Sequence, residues 1–228
     1  PFKGGSRCAF PFILSLPVRW LTALTSRSFS TAVATKTGTG SVEKDLTFLG
    51  FVSFVDPIKA STPPAIAQAR ALGVQVKILT GDSPEVAGYV ASKIQLIDSS
   101  DQVITGSQFL ALSPDAQHQA VNLYHVFARV NPQQKHQIIQ LLREHHEVGF
   151  LGEGINDAPA LKAASVGLVV KGASDIARES ADIVLLQKNL HVIINGIAEG
   201  RKVFANTTKY VTATLASKFG NFFPISLA

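Results

Sequence analysis

From Asp45 onward, short apolar runs alternate with stretches of helical period, an order that marks an α/β domain built on a parallel sheet. Residues 48–55 read as a strand that ends at Asp56-Pro57. Pro63-Pro64 opens a short helix through Ala71, and Gly73 closes it. Residues 74–79 form the next strand. Ser83 then serves as N-cap, with Pro84 at the first helical position and Glu85 in the first turn, while Val86, Val90 and Ile94 recur on one face. Asn131-Pro132 starts another helix in the same way, with Ile138, Ile139 and Leu142 as its buried face. Apolar runs at 148–151, 166–170 and 183–186 read as central strands.

The densest chemistry lies at 149–161, Gly-Phe-Leu-Gly-Glu-Gly-Ile-Asn-Asp-Ala-Pro-Ala-Leu, where an apolar run ends in a tight turn carrying Glu153 and Asp157. Mg²⁺ takes oxygen ligands, keeps several waters, and typically uses one or two protein carboxylates beside a substrate phosphate, which suits this pair. Gly152 and Gly154 allow a sharp turn and close approach to a ligand. An ordinary strand-to-helix loop with a solvated Asn-Asp cap fits these residues equally well when they stand alone. Two other segments favour the chemical reading. Thr80-Gly81-Asp82 follows a strand at its carboxyl end, where ligands bind in open α/β sheets, and the Thr80 hydroxyl and the next N–H groups can hold phosphate oxygens. Lys135 opens the helix after Asn131-Pro132, and an ammonium there neutralises phosphate as a point donor. Taken singly these are a turn, a loop carboxylate and a solvated lysine. Together they form one candidate phosphate site.

The 228 residues suffice for one large domain or two small ones. The chain has no methionine, so a fragment or a partial reading frame is expected. Its single cysteine, Cys8, excludes an internal disulfide framework and a multi-cysteine metal site. The net charge of +5 is lopsided: residues 1–42 hold Lys3, Arg7, Arg19, Arg27 and Lys36 with no acid, whereas 43–228 hold 16 basic and 16 acidic side chains. A neutral body argues against nucleic acid as a partner. Segment 1–30 superficially resembles a transit peptide but shows no clean periodicity, and it is left unassigned as misread or non-native. From about Asn206 turn signals stop, and the chain is apolar to its end apart from Lys218 and Asn221. A complete span takes about 20 residues, so 206–228 reads as the truncated start of a transmembrane helix, with a terminal core helix as the alternative. A polar residue such as Asn221 within lipid would mark an ion pathway.

This combination resembles the phosphorylation domain of P-type ATPases, membrane cation pumps of the haloacid dehalogenase superfamily, over roughly residues 32–228. It rests on Asp45-Leu-Thr-Phe-Leu-Gly-Phe with Asp56-Pro57, on Leu79-Thr-Gly-Asp82, on Phe127-Ala-Arg-Val-Asn-Pro-Gln-Gln-Lys135, and on Gly152-Glu-Gly-Ile-Asn-Asp-Ala-Pro-Ala-Leu161. Val-Lys-Ile-Leu-Thr-Gly-Asp, Asp175-Ile-Ala-Arg-Glu and Phe219-Gly-Asn look most like the magnesium-translocating branch. The resemblance implies a Rossmann-like parallel sheet, ATP and Mg²⁺ as cofactors, and a bacterial-type plasma membrane location with 31–205 on the cytoplasmic side. Its partners would be the membrane, a transported divalent cation, and the nucleotide-binding, actuator and transmembrane domains of the pump. By the same resemblance, Thr80, Gly81, Asp82, Lys135 and Asn156 form the catalytic set. Glu153 and Asp157 serve Mg²⁺, Asn221 touches the transported ion, and Asp56 and Pro57 lie at the hinge to the nucleotide-binding domain. Residues 31–56 would be the end of that domain and 57–205 the C-terminal part of the phosphorylation domain.

Two departures qualify the carry-over. Pumps of this family form an aspartyl phosphate on the aspartate of Asp-Lys-Thr-Gly-Thr, a case of covalent catalysis by a carboxylate. Here Lys36-Thr-Gly-Thr39 follows Thr35, and no acid precedes Glu43, so the nucleophile is absent. Loss of the strand that bears it would leave unpaired edges at the centre of the sheet. Glu153 stands where the family has aspartate, which shifts the carboxylate by roughly an ångström. Lys218 and Pro224 also depart from the magnesium branch. Two alternatives remain: a catalytically dead phosphate-binding or regulatory module, and a soluble haloacid-dehalogenase-type phosphatase.

Overall fold

The apolar runs of the body become the strands of one parallel sheet. The computed structural model describes the backbone of residues 11–14, 29–35, 47–54, 58–99 and 102–227, and side chains over 58–99 and 102–219. Strands β1 (Pro11–Leu14), β4 (Gln75–Leu79), β5 (Val103–Thr105), β6 (Val126–Ala128), β7 (Gly149–Gly152), β8 (Val166–Val170) and β9 (Ile183–Leu185) pair in the order β5-β6-β4-β1-β7-β8-β9, every pair parallel. Strands β2 (Phe29–Thr35) and β3 (Thr47–Phe54) pair antiparallel with each other in a separate ribbon.

Helices cross between the strands: α1 (Thr62–Ala71) before β4, α2 (Pro84–Lys93) after it, α3 (Gly106–Leu110) and α4 (Pro114–Leu123) before β6, α5 (Pro132–Arg143) before β7, α6 (Ala158–Ala163) before β8, and α7 (Asp175–Glu179) before β9. Their starts follow the local chemistry. Ser83 Oγ accepts from Val86 N, and Asn131 Oδ1 accepts from Gln134 N while Gln134 Oε1 accepts from Asn131 N, a complete capping box. After α1 the chain reverses through Gly73 at φ +69°, a left-handed value that favours glycine. Helix faces and both faces of the sheet meet in a core containing Ile66, Ile78, Leu79, Phe127, Ile138, Ile139 and Phe150, each 2% exposed or less.

One expectation is corrected. The centre of the sheet is not open, because β1 lies between β4 and β7, with Leu14 opposite Ile78 and Leu151. Pro-Phe-Ile-Leu is a run of the kind a strand buried on both faces requires, so part of the unassigned 1–30 segment takes the central place. The strand read at 48–55 is described as Thr47–Phe54, and it pairs with β2 in the separate ribbon. Strands β5 (Val-Ile-Thr) and β6 (Val-Phe-Ala), three residues each, are not read from the sequence.

The chain divides into two units, 1–188 and 189–228. The second is helix α8 (Leu190–Leu227), 38 residues or about 57 Å of continuous helix. The boundary expected near 206 therefore falls inside a helix. Among the described residues, no helix is long and apolar enough to cross a membrane. Val203, Phe204, Tyr210, Val211, Leu215 and Phe219 are exposed along α8.

One buried lysine makes the sheet sensitive to pH. Lys77, in the middle of β4, is fully buried and donates to the carbonyls of Tyr124 at 2.7 Å and Asn122 at 3.2 Å, at the carboxyl end of α4. Burial lowers its pKa from 10.5 to about 8. Between those values the unfolded chain binds more protons than the folded one, so stability should rise with pH across that window. The rise attributable to Lys77 is about 3 kcal/mol. Urea denaturation at pH 7 and pH 9.5, which crosses only part of that window, should show about 2 kcal/mol of this rise in the native chain and lose it in Lys77→Met.

Candidate phosphoryl and metal site

All strands of the main sheet run in one direction, so the residues that follow them share one edge. Thr80 follows β4, Lys135 lies in the first turn of α5 after β6, and Glu153 and Asp157 follow β7. Strand β1 separates β4 from β7, and the strand order builds outward from it on both sides, β4-β6-β5 on one and β7-β8-β9 on the other. This is a topological switch point, the place where open α/β sheets bind ligands.

The β4 end is fastened to the segment after β6. Thr80 N donates to Phe127 O at 2.9 Å, Val130 N to Thr80 O at 3.0 Å, and Arg129 N to Asp82 O at 2.8 Å. Arg129 adopts φ +49° to make this turn, a backbone state a non-glycine residue keeps only when its surroundings fix it. The buried Thr80 hydroxyl donates to Asp82 Oδ2 at 2.8 Å and accepts from Asp82 N at 3.2 Å, which orients both residues. Gly81 is exposed at the turn.

Lys135 and Asp157, expected to serve phosphate and metal separately, are bonded to each other. Lys135 Nζ donates to Asp157 Oδ1 at 2.8 Å, with the two side chains only 9% and 3% exposed. Asp157 Oδ2 accepts from Glu153 N and Gly154 N, both at 3.2 Å. One carboxylate thus holds the loop and the lysine together. A Cβ on Gly152 would lie 2.8 Å from the Asp157 Cβ, so glycine is required there for the approach of Asp157 rather than of a ligand. Gly154, at φ −93°, needs no glycine for its backbone angle. Asn156 is exposed on the 3₁₀ turn Ile155–Asp157, and the bonds that hold this loop come from Asp157.

Glu153 Oε1 lies 3.3 Å from Lys188 Nζ, a contact that sequence reading missed because 35 residues separate the two. Among the described residues no group of three His, Cys, Asp or Glu could hold a metal. In donor chemistry Glu153 and Asp157 fit Mg²⁺, which takes carboxylate oxygens and completes its shell with waters, with Glu153 the more accessible of the two and Asp157 engaged at both oxygens. Asp56 and Pro57 lie outside the described residues, as does the side chain of Asn221 in the last turns of α8.

A parallel sheet with a switch-point edge carrying Thr80, Lys135 and an acidic loop defines an open α/β domain. The chain belongs to the haloacid dehalogenase-like hydrolase family, whose model matches residues 16–165. Among known proteins it is 48% identical over 187 residues to a magnesium-transporting P-type 1 ATPase of Escherichia coli strain K12, covering 82% of this chain and 21% of that protein. The corresponding protein of Salmonella typhimurium strain 14028s is 49% identical over the same length, with 82% and 20% covered. The chain therefore spans about a fifth of the length of the curated relatives it matches. The crystal structure of a zinc-transporting PIB-type ATPase is similar at TM-score 0.56 and 27% identity, over 73% of this chain and 24% of that one. The expected family and fold are thereby shown.

Removing the ammonium would leave a buried carboxylate without its main counter-charge, and breaking such a pair from one side costs about 3–5 kcal/mol. Lys135→Met should lower the stability of the chain by that order in urea denaturation, whereas Lys202→Met, on the exposed Lys202–Glu199 pair, should change it by less than about 1 kcal/mol.

Proposed function

We propose that this chain is the phosphoryl- and Mg²⁺-binding part of an ATP-driven cation pump of the P-type class, with Mg²⁺ as the transported ion. The observation that carries this reading is the buried Lys135–Asp157 pair, set at the switch-point edge beside the Thr80–Asp82 turn. The 48% identity to a magnesium-transporting ATPase supports the ion assignment. In this reading Lys135 neutralises the phosphoryl group, and the Thr80-Gly81 turn offers it backbone N–H groups. Thr80 keeps Asp82 in place, and Asp157 fixes both Lys135 and the acidic loop. Glu153 and Asp157 would hold Mg²⁺, which when bound supplies positive charge to the phosphate oxygens. Helix α8 would lead towards the membrane, with Asn221 toward the transported ion, and ATP would be delivered by a nucleotide-binding domain hinged at Asp56-Pro57.

A second reading, a binding module without turnover, is favoured by one feature: no carboxylate precedes Glu43, so none follows β1 closely in the sequence. The two readings share the site and differ in chemistry. Incubation of the 228-residue chain with γ-labelled ATP is expected to leave no acid-stable, hydroxylamine-labile label on the protein. Calorimetric titration should show binding of inorganic phosphate with Mg²⁺ that is lost in Lys135→Met, while persistence of full affinity would overturn the site. Glu153→Asp is expected to bind Mg²⁺ more tightly than the native chain, because aspartate brings its carboxylate closer to the family's position. Equal affinities would count against that role of Glu153.

A further inference from the structure

We infer that Lys188 is a positioning residue for the metal carboxylate: it holds Glu153 by one oxygen and sets how readily a divalent cation takes that carboxylate. The inference rests on the reading of Glu153 as a Mg²⁺ residue. The pair spans 3.3 Å, with Glu153 19% and Lys188 51% exposed, so the contact lies at the mouth of the site.

Lys188 is itself anchored. Its carbonyl accepts from Lys59 Nζ at 3.2 Å. Its side chain crosses Gly172, with Nζ and Cε 3.6 and 3.7 Å from where a Cβ on that glycine would stand. On the other side, Glu153 O accepts from Ser174 N at 3.1 Å. The segments after β7, β8 and β9 therefore meet around this one ion pair, on the edge that carries Thr80 and Lys135.

A carboxylate oxygen engaged by an ammonium is a poorer ligand than one facing water. An entering cation must displace Lys188 from Glu153 and then stay beside its charge. Because the lysine is half-exposed and solvent-screened, the effect is modest, roughly two- to fivefold in affinity. It also depends on reach, since an aspartate at 153 is one methylene shorter and stops short of Lys188.

The test uses Mn²⁺ as a probe for Mg²⁺, with free Mn²⁺ followed by electron paramagnetic resonance in the 228-residue chain at low salt. Lys188→Gln is expected to bind Mn²⁺ roughly two- to fivefold more tightly than the native chain, and Lys188→Arg to match the native chain. In a Glu153→Asp background, Lys188→Gln should bring no further gain. If Glu153→Gln weakens Mn²⁺ binding but Lys188→Gln leaves it unchanged, the role of Lys188 is overturned and the metal site stands. A gain from Lys188→Gln that persists with Glu153→Asp would also overturn it, because the lysine would then act only as a nearby charge. If Glu153→Gln binds Mn²⁺ as well as the native chain, the metal reading and the inference fail together.

Discussion

The buried contact between Lys135 and Asp157 is the constraint on which the rest of the site depends. Each group taken from water alone would carry a large desolvation cost, and the pair offsets it only because the geometry is close and the second carboxylate oxygen is also satisfied. That second oxygen receives two backbone N–H groups of its own loop. The ammonium of α5 and the loop after β7 are therefore fixed by a single side chain. A pair of this kind adds little net stability, but it leaves few alternative arrangements for the loop. It also explains the bare backbone at Gly152, where the Asp157 side chain packs so closely that no Cβ fits without displacement.

Strand β4 carries the other half of the arrangement, and it is tied to the β6 segment at its middle and at its end. At its middle, Lys77 reaches the carbonyls of Asn122 and Tyr124 just before β6 begins. At its end, Thr80 and Asp82 exchange backbone bonds with Phe127, Arg129 and Val130 where β6 finishes. Thr80 is thus set by its neighbour's backbone and not by packing alone. Asn131 follows Val130 directly in the chain, and its cap starts the helix that carries Lys135.

How much of this was legible in the sequence follows from the range of each interaction. Caps at Ser83 and Asn131, the stop at Gly73 and the apolar strands at 149–152 and 166–170 rest on contacts within a few residues or on the apolar run itself, and local reading found them. The joint occurrence of Thr80, Lys135, Glu153 and Asp157 was also readable, as a motif set. Their mutual bonding was not. Lys135 and Asp157 stand 22 residues apart and Glu153 and Lys188 35 apart, and no periodicity reports which lysine meets which carboxylate. The bond between Lys135 and Asp157 adds to their expected roles at phosphate and metal that each fixes the other's position.

The place of β1 separates what the fold needs from what the chemistry needs. A central strand in a parallel sheet must be apolar on both faces and offer its backbone to two neighbours, and Pro-Phe-Ile-Leu meets both requirements. Neither requirement specifies a carboxylate in the residues that follow. The sheet can close, the switch point can form, and Thr80 and the acidic loop can come to flank that point, whether or not an aspartate stands at the strand's end. Under the proposed function, binding of the phosphoryl group and of Mg²⁺ is carried by β4, α5 and the loop after β7, all of which are in place. Attack on the phosphoryl group depends on a different side chain, and the residues after Leu14, Ser-Leu-Pro-Val-Arg, supply no acid. The presence of this edge is therefore a weaker statement about catalysis than about binding, because the interactions that build it do not pass through the residues after β1.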